Sequence, residues 1–498
     1  MTKNGSNKAS ITVFLALILS VLLSLICSSI QSVRMASCRT QILNGMDIGL
    51  YSLFGQYDKK LLEDYDLFAL DGSMGGGSLN MAAISNNLES YMKPVLRQNG
   101  RKLKLKQSGL TGYRLLTDDN GEVFFQQIVQ YMRDTLGSQG VQLLLNKMSE
   151  REQKTQEAGK KAGEAEAGNV VQQYDSAMDQ AAQNSQKAAE EAAKNQNGQF
   201  SSGEDTGNTP AAPSAPAVKN PITIIKRIMK MGILELVLPA GKGISAKEIN
   251  INTLLSGREL QKGMEMPDGV TAENGYAASV LFQQYLMNHL GNYADPSSAG
   301  LAYQMEYVFS GKDTDIDNLK AVAEKLLFIR EGVNIACLMA DSSKRIQAEA
   351  LAGAIAAGFL IPPAAVIIET ALILCWAFAE SVLDVRELFC GGKVPLVKTG
   401  DQWQISLENL PELMSGLDTF RKNDDKGMSY EDYLQVLILT VSKGKKVLRS
   451  MDMIENSIRN QGRPHFCMDS CIVALEAFAD VRAEGSKEFQ VIRQYAYE

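Results

Sequence analysis

The residues best spaced for chemistry are Asp313, Asp315 and Asp317, in an Asp-x-Asp-x-Asp-Asn run followed by Glu324. Acidic side chains at the first, third, fifth and twelfth positions are the spacing of a calcium loop, whose oxygen ligands suit that hard cation. Asn318 stands where a glycine is usual and tolerates the same backbone, but Lys320 occupies a position normally held by an aliphatic residue. The preceding YVFSGK lacks the pattern of an entering helix, and helical periodicity starts inside the loop. The sequence therefore favours a second reading, in which Asp315 or Asp317 caps a helix and meets its dipole. Ca2+ is the only cofactor these positions suggest.

Nothing else groups catalytic side chains. The two histidines, His289 and His465, are far apart, and a zinc site or Ser-His-Asp triad would have to rest on one of them. Ala240-Gly241-Lys242-Gly243 and Gly391-Gly392-Lys393-Val394 lack the spaced glycine and Lys-Ser/Thr of a phosphate loop. They read as turns, and no nucleotide partner is expected. A net charge of −7 without a basic stripe argues against nucleic acid. Seven cysteines form no CxxC and no evident disulfide framework. No carboxylate pair stands out by spacing, so an enzyme is not expected.

The element that must position everything else is Ile11 to Ile30, twenty residues without a charge, entered from Lys3 and Lys8 and left at Arg34. At ~1.5 Å per residue such a helix covers ~30 Å, the hydrocarbon thickness of a bilayer. Only a helix meets its own backbone hydrogen bonds in lipid. The apolar core is longer than that of a cleaved signal, and no A-x-A-like site follows it. Cys27 follows Ile26, where a lipoprotein needs a small residue. The expectation is a retained single-pass anchor with Ile11, Phe14, Leu17, Leu22 and Ile30 in the lipid bilayer. Residues 1–10 would form a cytoplasmic tail and the bulk would be extracytoplasmic, although the charge bias across the span is slight.

Past Arg34, Ile42, Leu43, Met46, Leu50, Leu53, Phe54 and Tyr57 recur at three- and four-residue intervals. The helix should therefore continue beyond the membrane and pack against a head. Residues 31–150 read as this extension and a first α+β region. It would hold strands over 65–70 and from 103, a helix capped by Ser78, and a helix over 122–148. Residues 151–221 are a low-complexity linker, partly helical and then proline-rich and disordered. Residues 222–498 read as a second, helix-rich α+β region with small antiparallel sheets. Strands are expected over 233–238 and 394–407, and a strand or short helix over 301–309. Helices are expected over 276–290, 315–339, 430–441 and 446–460, then a closing hairpin of 471–481 and 489–497 around Glu484-Gly485. The apolar run 351–379, broken by Pro362-Pro363, reads as a buried helical hairpin. A second membrane contact is the alternative, at the cost of placing Glu369 in lipid.

Several segments carry a family likeness. KASITVFLALILSVLLSL and MDIGLYSLFGQYDKKLLEDYDLFALD resemble the start of TadE/TadG-like proteins of tight-adherence (Tad) pilus loci. YQMEYVFSGKDTDIDNLKAVAEKLLFIREGVN, WAFAESVLDVRELFCGGKVPLVK and MSYEDYLQVLILTVSKGKKVLRSMDMIE are similar, more narrowly, to a domain of unknown function from such loci in Gram-positive anaerobes. The resemblance covers most of the chain outside residues 150–220. It implies a membrane-anchored, pseudopilin-like or minor component of a Tad-like pilus or secretion apparatus, with pilin-like and Tad assembly proteins as partners and no catalysis. One departure bears on processing by a prepilin peptidase: Phe14 stands where such relatives often carry a glutamate, and Ala9 replaces a glycine. The alternatives are a membrane-tethered binding or sensor protein and an envelope-polymer enzyme, the last disfavoured by the scarcity of histidine.

Overall fold

The computed structural model describes residues 6–98, 103–163, 172–180, 182–183, 187, 220–264, 266, 274–359, 361–422, 424–483 and 487–497. Most of the linker expected over 151–221, and the turn at Glu484-Gly485, lie outside the described residues. The chain forms two compact units, one from residues 1–132, 252–274 and 454–498 and the other from 133–251 and 275–453.

In the first unit a long helix lies on an antiparallel sheet. α1 (Ser6–Phe54) contains no proline and runs as one helix, as its uninterrupted pattern predicts. α2 (Lys59–Tyr65) follows, its start fixed by the Asp58 carboxylate, which accepts from the amides of Lys60 and Leu61. The strand expected over 65–70 is thus reduced to β1 (Leu70–Asp71), because Asp58 starts a helix upstream and Asp66 ends it in the left-handed region. α3 (Met81–Leu96) is capped by Asn80 rather than Ser78. β2 (Lys104–Leu115), α4 (Asp118–Gly163) up to Met132, β3 (Cys471–Arg482) and β4 (Glu488–Ala496) complete the unit.

β3 is the middle strand: β2 pairs along one edge, and β1 and then β4 along the other, all antiparallel. The β3–β4 hairpin is the one the alternation predicts. Alternate β3 residues Leu475, Ala477, Ala479 and Val481 share one core with Ile42, Met46, Leu50 and Phe54 of α1.

The second unit is helical among its described residues. It holds α5 (Pro221–Ile228), α6 (Ile233–Val237), α7 (Tyr276–His289), α8 (Gln304–Ser310) and α9 (Asp315–Ala340). α10 (Ser342–Gly358), α11 (Ala365–Phe389), α12 (Leu413–Gly416), α13 (Tyr430–Leu439) and most of α14 (Lys443–Asn460) follow. The strand expected over 233–238 is helix α6. An apolar run this short carries no decisive period, and its neighbours are the helices α9 and α11 rather than a strand. Residues 394–407 likewise form no strand, only a bridge from Val394 to Met428 and a 3-10 turn at Gly400–Gln402. The reason lies far away in sequence: Arg330 takes the carbonyls of Pro395 and Leu396 that a ladder would need. α10 and α11 pack as a hairpin across Pro362-Pro363, but the burial expected over 351–379 holds without a break only for α11 from Ala371 to Phe389, since Gly353, Ala354, Ala357, Gly358, Phe359 and Val366 are exposed.

Candidate functional site

α1 has two chemically different halves. Its amino-terminal half is long and apolar enough to cross a membrane. Ile11, Phe14, Leu17, Leu22 and Ile30 are each more than half exposed. Two hydroxyls within this half are satisfied by the helix itself, Ser20 donating to the Leu17 carbonyl at 2.8 Å and Ser29 to that of Leu25 at 2.9 Å. That is the arrangement hydrocarbon tolerates, since lipid offers no alternative partner. The carboxyl-terminal half turns a stripe of Ile42, Met46, Leu50 and Leu53 inward, each at most 1% exposed.

The seat of that second half is specific. Gly45 and Gly49 face α3, and a Cβ on Gly49 would meet Met92 Cγ at 2.8 Å, so glycine sets the close approach of the two helices. Gln41 Nε2 donates to the carbonyls of Val95 at 3.1 Å and Gln98 at 2.9 Å, satisfying the end of α3. Tyr497 OH donates to the Phe54 carbonyl at 2.6 Å and so closes the end of α1. The sequence reading missed Gln41, Gly45 and Gly49. The signal available was the pair of glycines four residues apart on the inward face.

The calcium-loop residues do not converge. Asp315 is fully buried, and its carboxylate accepts from the amides of Ala302 and Tyr303, both at 3.0 Å, and from Ser245 Oγ. Asp313, Asp317 and Glu324 are exposed. Glu324 stands nine residues into α9, ~13 Å along its axis from Asp315. The cap of α9 is neither Asp315 nor Asp317 but Thr314, whose Oγ1 accepts from the Asp317 amide at 3.1 Å. Asp315 instead pins the 302–303 backbone. All seven cysteines are free.

Two further features stand out. In the second unit Glu306 is fully buried; its Oε1 accepts from Tyr430 OH at 2.6 Å and from the Tyr293 amide at 2.8 Å, while Oε2 has no partner. Burial outweighs these bonds and pushes its pKa up to about 7. The folded state therefore holds a proton that the unfolded chain releases near 4.5, and stability falls as pH rises through that window to about 7. Glu306→Gln is expected to remove a slope of about 3 kcal/mol at most, read as urea midpoints at about pH 5 and about pH 8. An unchanged slope would assign the titration elsewhere.

In the first unit a cavity of about 590 Å³ is lined by Tyr113, Thr117, Asp118, Gln261 and Met264 among others. The buried Thr117 hydroxyl has no partner among the described residues. Asp118 accepts from the amides of Leu115 at 2.7 Å and Gly263 at 2.9 Å, and burial raises its pKa.

These observations define a helix-rich α+β protein with a small antiparallel sheet and a long apolar amino-terminal helix. The chain belongs to a family of unknown function (DUF5702), whose model matches residues 213–483, more than half of the sequence. The match begins beyond α1, so it speaks for the helical region and part of the sheet rather than for the apolar helix. No curated protein and no solved structure matches the chain.

Proposed function

We propose that the protein is a membrane-anchored, structural component of an extracytoplasmic assembly, pseudopilin-like and built without catalysis, of the kind found in a Tad-like pilus or secretion apparatus. Its amino end would be cytoplasmic and its head outside. One observation carries this reading: a single unbroken helix exposes apolar side chains over residues 11–30 and buries its other half under a sheet. Such a helix couples a head rigidly to a bilayer, which suits a part that transmits position and has little use in an enzyme. Ala16, Ser20 and Ser24 recur every fourth residue along it and allow close approach of similar helices. Pilin-like and Tad assembly membrane proteins are the partners this surface fits. A second reading, a tethered binding or sensor protein, draws support from the cavity around the unpartnered Thr117.

The test combines topology and neighbours. A protease tag inserted within residues 195–220 is expected to be cut on intact cells, and a photo-crosslinker at Ser20 to capture other single-helix membrane proteins. A tag protected until lysis would overturn the topology. Cross-linking to lipid alone would favour the tethered binding protein over the assembly component.

A further inference from the structure

The α10–α11 hairpin ends in a tip that the head does not use. From residue 350 to residue 368, between Glu349 and Glu369, no side chain is charged or able to hydrogen-bond. Ala352, Ile355 and Ala356 of α10 and Ile368 of α11 are buried and hold the two helices together. Among the described residues the outer surface stays uncovered on both helices. Gly353, Ala354, Ala357 and Gly358 are exposed on α10, as are Pro362 and Pro363. Phe359 is 43% exposed and Val366 is 71% exposed. An element apolar around its whole circumference is a misfit in water and suits an apolar surrounding.

Three backbone amides at this tip find their acceptors within it. Phe359 N donates to the Ile355 carbonyl at 3.1 Å, Ile361 N to Ala356 at 2.9 Å and Ala364 N to Ile361 at 2.9 Å. Pro362 and Pro363 have no N–H to satisfy. The first hydroxyl on α11, Thr370 Oγ1, donates back to the Val366 carbonyl at 2.9 Å. Internal satisfaction of this kind is the condition for entering hydrocarbon. The depth also fits. From Pro362 to Glu369 is seven residues, ~10 Å of helix, close to the ~5–10 Å by which interfacial segments sink below the headgroups. A protein groove is a poorer match, because most of the exposed side chains are alanine, glycine and proline, which offer few anchors. It cannot span, since α11 is buried from Ala371 onward and carries Glu380, Asp384 and Arg386.

We infer that the tip formed by residues 353–359 and 361–366 inserts into the apolar boundary of a lipid bilayer from one side, as a second membrane contact of a chain already anchored by α1. The inference rests on that anchor reading for the nearness of a bilayer, and the experiment separates the two. The full-length chain is reconstituted into phosphatidylcholine vesicles with and without bromine on the acyl chains. Tryptophan is introduced as Val366→Trp or, separately, Leu22→Trp, against the buried native pair Trp376 and Trp403 as background.

Loss of emission in brominated vesicles, beyond that of the unsubstituted chain, is expected at both positions. Phe359→Asp added to Val366→Trp should abolish the quenching while lowering the thermal unfolding midpoint by only a few degrees, because Phe359 is 43% exposed. Quenching at Leu22→Trp alone overturns the inference and leaves the anchor standing. Quenching at Val366→Trp alone supports it and removes the anchor, and quenching at neither removes both. A blue-shifted Val366→Trp that brominated lipid does not quench means that protein covers the tip, and overturns the inference.

Discussion

Replacing both Leu17 and Leu22 with lysine is expected to move the protein from the membrane fraction to the soluble fraction. Both side chains lie near the middle of the 11–30 segment and are more than half exposed. A lysine at the centre of a spanning helix costs about 2.5–3.5 kcal/mol on insertion scales, so the pair costs about 6 kcal/mol. Both positions are far from either end of the span, which limits the relief that snorkelling gives. The head should not notice. Its contact with α1 starts at Cys38, about four turns beyond Leu22. Sedimentation and carbonate extraction read the first effect, and the unfolding midpoint of the soluble variant reads the second. A double variant that stays with the membrane through carbonate would show that α1 is not the anchor and would shift attention to the α10–α11 tip.

The sequence disclosed what rests on local periodicity. α1 was legible because one residue class fills its first half and a three-and-four spacing fills its second, with no proline between. α9 was legible for the same reason, as was the alternation of β3 and β4. Segments whose state depends on a distant neighbour were not. Residues 394–407 look extended, but a buried arginine 65 residues away in sequence takes the Pro395 carbonyl. Residues 233–238 have strand composition without a strand to join. The pairing of β2 with β3 brings Leu105 to Val481, and no pattern within either strand names that partner. Asp315 shows the limit for sites. Its spacing to Asp313 and Asp317 suggests a metal loop, whereas its burial, invisible in the sequence, commits the carboxylate to backbone amides. Glu380, Asp384, Arg386 and Glu387, buried in a largely apolar helix, were the overlooked signal, because a core helix keeps charges only where it can pair them.

That pairing leads to the largest expected loss of stability. Arg330, on α9, is fully buried, and its Nε and Nη2 donate to Asp384 Oδ2 at 2.9 and 2.8 Å. Nη1 donates to the carbonyls of Pro395 at 2.9 Å and Leu396 at 2.7 Å. Asn334 Nδ2 adds a third bond to Asp384 Oδ2 at 3.0 Å, and Gln404 Nε2 reaches Oδ1 at 2.8 Å. Lys398 pairs with both Asp384 and Glu380. Burial alone would raise the pKa of Asp384, yet the charges of Arg330 and Lys398 hold it below the usual carboxylate range. A depressed pKa means this stabilisation is present above the unfolded value and is lost as acid protonates the folded carboxylate.

Asp384→Ala removes the shared anion and leaves a buried guanidinium facing an empty site, which costs about 3–5 kcal/mol. Asp384→Asn keeps the shape but turns an amide toward donors from Arg330, Asn334 or Gln404, and is expected to recover little. Replacing both partners, as Arg330→Met with Asp384→Leu, should recover a large part, since the penalty comes from the charge left behind rather than from the absent bond. Trp376, which donates to the Ile405 carbonyl at 2.8 Å, and Trp403 lie beside this network and report its unfolding by fluorescence. A shift below about 1 kcal/mol in Asp384→Ala would mean that water reaches Arg330, and the network would then be no part of the core that holds α9 to α11.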